Sequence, residues 1–339
     1  MAKRVVHGGC LQWNLPKPST LTDNSFYGIL ERNNRDMEFA FKLVFDAILK
    51  YSKLDITSIR ISNVTETYFY VSLEARASNT GPASATLSPM SIELCGSKGC
   101  FGKILFPEFN TTPRSAHIMV ENQLVEITNK AALLAFIIPA MKNSSAMLSL
   151  KNGQSTVTVA AFGIGPRPIV YARDVPIVGM NGPGVSIKSA SIRNRPTTSQ
   201  NVSSFGTSNR TGVTVTFHVK NPSPVELSLG ICEFEIQNEN KEVFATLKGL
   251  LDIRNLYFDV MFYGEANKRV TLREKKARLV GKRCLGAGWC DQTIKAIDVP
   301  IADVWKLLKA LDLDYEDPKP ESPQVFRWRE KYWKKGTWI

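Results

Sequence analysis

The chain has 339 residues, 43% of them hydrophobic, with 43 lysines and arginines against 31 acidic residues and a formal net charge of +12. That length suits two domains, each long enough to bury its own core, while the charge predicts solubility and attraction to anionic surfaces without saying anything about fold. No apolar run reaches the ~20 residues that span a bilayer, and the basic start "MAKRVVHGGCLQWNLPKP" lacks the apolar stretch and cleavage site of a signal peptide.

Residues 1–35 are polar and irregular and read as an N-terminal arm. Asp36 then caps an amphipathic helix over 37–51, in which Phe41, Val44, Phe45, Ile48 and Tyr51 recur at helical spacing. Strands follow at 54–61, 68–76 and 90–94. Phe69, Val71, Leu73 and Ala75 alternate with polar neighbours, the pattern of a sheet with one buried face. Residues 104–106 and 116–127 continue the sheet. "KAALLAFIIPAM" at 130–141 is apolar nearly all round and predicts a buried helix, ended or bent by Pro139. Strands at 147–150 and 156–162, joined by an Asn152-Gly153 hairpin turn, and one at 169–178 close a first domain over 36–180.

"NGPG" at 181–184 reads as a linker. A second domain over 185–312 opens with a strand at 185–192, followed by an exposed polar loop at 194–210. Val213, Val215, Phe217 and Val219 then alternate with Thr214, Thr216 and His218. Further strands are predicted at 227–236, 243–247, 256–263, 278–281 and 293–299, with a short helix at 302–311. A charged, then aromatic tail occupies 313–339. The two halves echo one another: Asn79-Thr80-Gly81-Pro82 answers to Asn221-Pro222-Ser223-Pro224, and Asp174-Val175-Pro176-Ile177 to Asp298-Val299-Pro300-Ile301. A repeat of this length indicates duplicated domains.

The strand into "NTGPASATLSP", the later "NPSPVELSL", the joint "VEITNKAALLAFIIPAM", "STVTVAAFGIG" and "DVPIVGMN" together carry a resemblance. Over roughly residues 37–300 the chain resembles the group-2 late-embryogenesis-abundant superfamily, which includes the water-stress and hypersensitive-response domain, and in particular its fungal tandem members of unknown function. The resemblance implies a mainly β protein: two tandem fibronectin-like antiparallel β-sandwich domains with a few accessory helices. It also implies lipid binding or protection against water stress, often from a single membrane helix that this sequence does not show. It implies no catalytic residues. Without an anchor the chain is expected in the cytoplasm or peripherally on a membrane; if an anchor is missing, a secretory or vacuolar lumen is expected.

The residues themselves offer little catalytic chemistry. His7, His117 and His218 stand at no metal-ligand or triad spacing, and there is no HExxH, GxSxG, Walker loop or GxGxxG. Gly163 and Gly165 precede Pro166 in a turn. Cys95–Cys100 and Cys284–Cys290 each bracket a short glycine-containing loop, so each pair is either a local disulfide or two reduced thiols. A zinc site is disfavoured by their spacing. Cys232 lies on an apolar strand face and reads as a buried thiol, while Cys10 is uninformative. Five N-x-S/T sites, at Asn63, Asn110, Asn143, Asn201 and Asn209, barely exceed chance. No cofactor or metal is expected.

Two regions are candidates for contact with lipid or an anionic membrane surface. One is the basic run Lys268, Arg269, Arg273, Lys275, Lys276, Arg278, Lys282 and Arg283, for which a solvated hairpin is the plainer reading. The other is the tail, where Phe326, Trp328, Tyr332, Trp333 and Trp338 are interleaved with Arg329, Lys334 and Lys335. Such a mixture suits a membrane interface, or tryptophans folded back on a sandwich. Nucleic acid is disfavoured, because no RNP, KH or OB pattern supplies a scaffold. The sequence therefore predicts a non-enzymatic protein binding lipid or a small apolar ligand. The alternatives are a stress-protective or interaction module without a defined ligand, and a motif-less, cyclase-like enzyme acting by positioning in an apolar pocket.

Overall fold

Alternation of apolar and polar residues shapes most of the structure, a computed structural model that describes residues 52–80, 83–159, 164–193, 210–273 and 276–314. All of these belong to one compact unit, Ser52–Ile339. The arm at 1–35, the helix predicted at 37–51, nearly all of the loop at 194–210, and the tail from 315 lie outside the described residues, as does Lys275.

The chain is mainly β, a sandwich with short helices. The first strands are β1 (Lys53–Ser62), β2 (Tyr68–Ser78), β3 (Ala85–Leu87), β4 (Met90–Gly96), β5 (Gly99–Phe106), β6 (Phe109–Thr112) and β7 (Ser115–Glu126). Helix α1 (Lys130–Lys142) leads into β8 (Ser145–Val159) and β9 (Ile164–Val178). Strands β1-β2-β7 form one layer, and β5-β4-β8-β9 the other. Short β6 and β3 bridge from β7 to β8. Every second residue of β2 from Phe69 to Ala75 is buried, because alternate side chains of a strand leave opposite faces.

The second set comprises β10 (Gly184–Ile192), β11 (Arg210–Asn221), β12 (Val225–Gln237), β13 (Val243–Ile253), β14 (Leu256–Asn267), β15 (Arg278–Cys284) and β16 (Asp298–Ala302). Its layers are β10-β11-β14 and β13-β12-β15-β16. They also join at both margins, β13 to β14 over Ala245–Lys248 and β10 to β16 in parallel at Val185 and Ser186, so seven strands close into a ring. Phe262 of β14 meets Phe234 of β12 across the layers, with ring centroids 5.0 Å apart. Burying such aromatics contributes much of the stability of a core this size. Helix α2 (Gly288–Ile294) lies between β15 and β16, and α3 (Trp305–Ala310) follows.

The two sets are continuous. β1 pairs in parallel with the start of β12, Ile59 opposite Val225 and Ile61 opposite Leu227. Beside this seam the Arg60 guanidinium reaches Glu226 at 2.8 Å and Asp252 at 3.2 Å. Asn181–Gly184, expected as a linker, is a tight turn held under α1: the amide N–H of Asn181 donates to the Asn143 carbonyl, and that of Gly182 to the Met141 carbonyl.

Two local expectations need correction. Asn152-Gly153 does not turn a hairpin. β8 runs straight through it, with Asn152 at φ 56° and a register shift against β9, because a left-handed residue followed by glycine also makes a bulge. Gly153 is closely packed there: a Cβ would stand 3.1–3.2 Å from Ile92 and Tyr171, which would have to give by a few tenths of an ångström. Residues 293–299 are not one strand: Thr293 and Ile294 belong to α2, whose buried Trp289, Cys290, Thr293 and Ile294 follow helical spacing.

Candidate functional site

α1 forms one wall of an apolar surface groove. Asn129 caps it, its side chain accepting from the Ala132 amide at 3.1 Å. Ala132, Leu133, Phe136, Ile137, Ala140 and Met141 are buried, and Phe136 stacks on Phe101 of β5 at 5.7 Å. Pro139 stays inside the helix and neither ends it nor prevents its last turn. It does lack the N–H that would serve the Ala135 carbonyl. Ala135, Phe136 and Pro139 form one wall of an open groove of about 290 Å³, whose other walls are Ala146, Met147, Pro176, Ser97 and Ser145. The lining has no charged side chain. Met147 is 50% exposed.

The cysteines divide into two environments. Cys95 and Cys100 are bonded across the β4–β5 hairpin. Cys284 and Cys290, the other predicted pair, are not joined; both are free and buried, as is Cys232. A third thiol lies beside the pair. Cys232 stands directly opposite Cys284 in the β12–β15 ladder, and Cys284 also meets the Cys290 thiol on α2. Hydrogen bonds from both neighbours hold the Cys284 thiol below the ordinary thiol range, and the same contacts push Cys232 and Cys290 up. Acting in the other direction, Cys284 Sγ lies 3.1 Å from the Leu229 carbonyl, which accepts from the protonated form.

Among the described residues, one set of donors is close enough to hold a metal ion: Glu93, Cys95 and Cys100, all within 4.8 Å. The two sulfurs are bonded to each other, and the carboxylate of Glu93 is engaged by Lys103 at 3.1 Å and Asn152 at 2.7 Å. That set does not fit a resident metal.

The basic run is dispersed into ion pairs. Arg278 binds Asp298 at 2.6 Å, Lys282 binds Glu235 at 3.2 Å and Arg283 binds Glu233 at 3.2 Å, each across neighbouring strands. Arg273 and Lys276 both reach Glu239, and Lys268 donates to the Leu311 carbonyl at 2.8 Å. Arg269 follows Asn267, whose side chain accepts its amide N–H at 3.1 Å. Individually these surface pairs contribute about 0–1 kcal/mol each. Four carboxylates, those of Glu233, Glu235, Glu239 and Asp298, thus lie against five of these cations. The tail residues Phe326, Trp328, Arg329, Tyr332, Trp333, Lys334, Lys335 and Trp338 lie outside the described residues.

Both described histidines have carboxylate partners that the sequence spacing did not reveal. His117 Nε2 lies 2.9 Å from Glu74, and His218 Nδ1 lies 2.8 Å from Asp259. Strand register makes both pairs, on the outer faces of β2–β7 and β11–β14. His218 also stacks on Tyr257 at 5.5 Å. Both rings are solvent-exposed, and no hydroxyl or thiol is bonded to either among the described contacts, so neither forms a nucleophile–base pair.

Residues 100–236 match the family model of a protein of unknown function, DUF3712. The match covers less than half of the chain and crosses from β5 into β12, so it straddles both pairing sets. No curated protein matches the chain. Among solved structures it is similar to the crystal structure of the YadV chaperone, at 8% identity and a TM-score of 0.17, over 68% of this chain and 91% of that one. A TM-score that low carries no argument about function.

Proposed function

We propose that this is a non-enzymatic β-sandwich protein that holds an apolar, lipid-class ligand in the groove beside α1. The observation that carries the reading is the lining: six apolar side chains and two serine hydroxyls, with no charge. Ligand sites are concave and mostly apolar, with a few polar groups that fix orientation. Here the polar lining residues are Ser97 and Ser145. An aliphatic chain with a hydroxyl or protonated carboxyl end matches that set. Membership of the late-embryogenesis-abundant superfamily, and action at a membrane surface through the aromatic tail, belong to the same proposal.

The test is titration of the full chain with a fluorescent fatty-acid probe. Met147→Asp places a charge on the half-exposed wall without touching the core, and weakens probe binding at least tenfold, about 1.4 kcal/mol. Equal binding by both chains, or none by the unmutated one, removes the groove from the account.

A protein-docking role is the second reading. Ile231 and Leu250, opposite one another on β12 and β13, and neighbouring Leu285 are 43–63% exposed. An apolar cluster of this kind suits a partner surface.

A further inference from the structure

The groove makes no use of the thiols of Cys232, Cys284 and Cys290. We propose that they form a redox-active modification site in which Cys284 is the central sulfur, oxidised by a peroxide-class oxidant to a disulfide with either Cys232 or Cys290.

Three observations bring the sulfurs together. Directly opposite residues in an antiparallel ladder have Cα atoms about 4.5–5.5 Å apart, within the range a disulfide requires, and Cys232 and Cys284 are such a pair. Cys290 reaches the same sulfur from α2, whose Asp291 carboxylate accepts the Cys284 amide N–H at 3.2 Å. The cluster is buried, Cys284 being 5% exposed; the residue over it is the exposed Gly286, where a Cβ would stand 3.6 Å from Cys284 Sγ. The hydrogen bonds that Cys284 receives from both neighbouring thiols favour its thiolate, the nucleophilic form.

The chemistry balances in two steps. The Cys284 thiolate attacks one peroxide oxygen; the O–O bond breaks, a sulfenic acid forms, and hydroxide leaves and takes up a proton as water. The sulfur of Cys232 or Cys290 then attacks Cys284 Sγ; the S–O bond breaks, the S–S bond forms, and the attacking thiol's proton departs with the oxygen as a second water. Two thiols are oxidised by two electrons, and one peroxide is reduced to two waters. The two linkages exclude one another because they share Cys284. A link to Cys290 ties α2 to β15, and a link to Cys232 ties β12 to β15.

The experiment uses the full chain with Cys10→Ser, treated with hydrogen peroxide, then alkylated and mapped by peptide mass spectrometry. We expect a mass loss of two hydrogens and a linkage that always contains Cys284. Cys232→Ser and Cys290→Ser each retain one linkage, and Cys284→Ser retains none. A Cys232–Cys290 linkage, any disulfide in Cys284→Ser beyond the Cys95–Cys100 bond, or the absence of any new disulfide overturns the proposal. If Cys284→Ser does not fold, mapping of the parent chain decides between the same outcomes.

Discussion

Trp289 of α2 donates its indole N–H to the Thr65 carbonyl at 2.8 Å, so a side chain of the second pairing set closes the β1–β2 loop of the first. The ring is 2% exposed and packs edge-on against Phe69 at 6.4 Å. Next to it, Glu66 accepts from the Gly288 amide and binds Lys130 of α1 at 2.7 Å. Together with the β1–β12 ladder, these contacts join the two sets into one folded unit.

Truncation of Trp289 therefore costs more than a local contact. Trp289→Ala removes a buried aromatic at the junction and is expected to lower unfolding free energy by about 3–5 kcal/mol. Trp289→Phe keeps most of the apolar surface but leaves the Thr65 carbonyl unserved, at about 1–2 kcal/mol. Urea unfolding of the full chain measures both; an Ala variant as stable as the parent contradicts this role.

Gly281 of β15 is where α2 approaches the sheet. A Cβ there would stand 2.0 Å from the Ile294 carbonyl oxygen, so Gly281→Ala must push the end of α2 away. Overpacking of this kind costs about 1–3 kcal/mol or more. Gly286→Ala, whose Cβ meets nothing closer than 3.6 Å, is the control and is expected to be near neutral. Equal thermal midpoints for the two variants contradict the close approach.

Glu66 gives a pH dependence with a definite sign. Its hydrogen bond with Lys130 and the one from the Gly288 amide hold its carboxyl below the ordinary 4.5. A folded pKa below the unfolded one adds stability that is fully present above pH 4.5 and is lost as pH falls through the folded value. Glu66→Gln should be less stable than the parent at neutral pH, and the difference should vanish in acid below the depressed pKa. Urea midpoints across that window decide the matter; a difference that persists in acid assigns it to something other than the charge.

Much of the fold was legible because alternation is a local signal. Phe69 to Ala75 and Val213 to Val219 show their buried faces directly, and "KAALLAFIIPAM" gives α1 nearly to its ends. What stayed hidden depends on register or on contacts far apart in the chain. Asn152-Gly153 has the composition of a turn, and only the partner strand β9 makes it a bulge. α2 is seven residues long, has Ala287 without a side-chain cap, and owes its place to Trp289 reaching Thr65. The Cys232–Cys284 pairing, the His218–Asp259 contact and the pairing of Arg283 with Glu233 are all set by which residues face each other across a ladder. Spacing along the chain does not encode that. The groove likewise combines α1, the β4–β5 turn, β8 and β9, none of which looks like a ligand site alone.

The most direct measurement of the central claim is native mass spectrometry of the full chain after mild purification, alongside Met147→Asp. The account predicts a species heavier than the chain by one lipid-class molecule, depleted in the variant. Bare-chain mass for both proteins, with no uptake of added fatty acid, would contradict it.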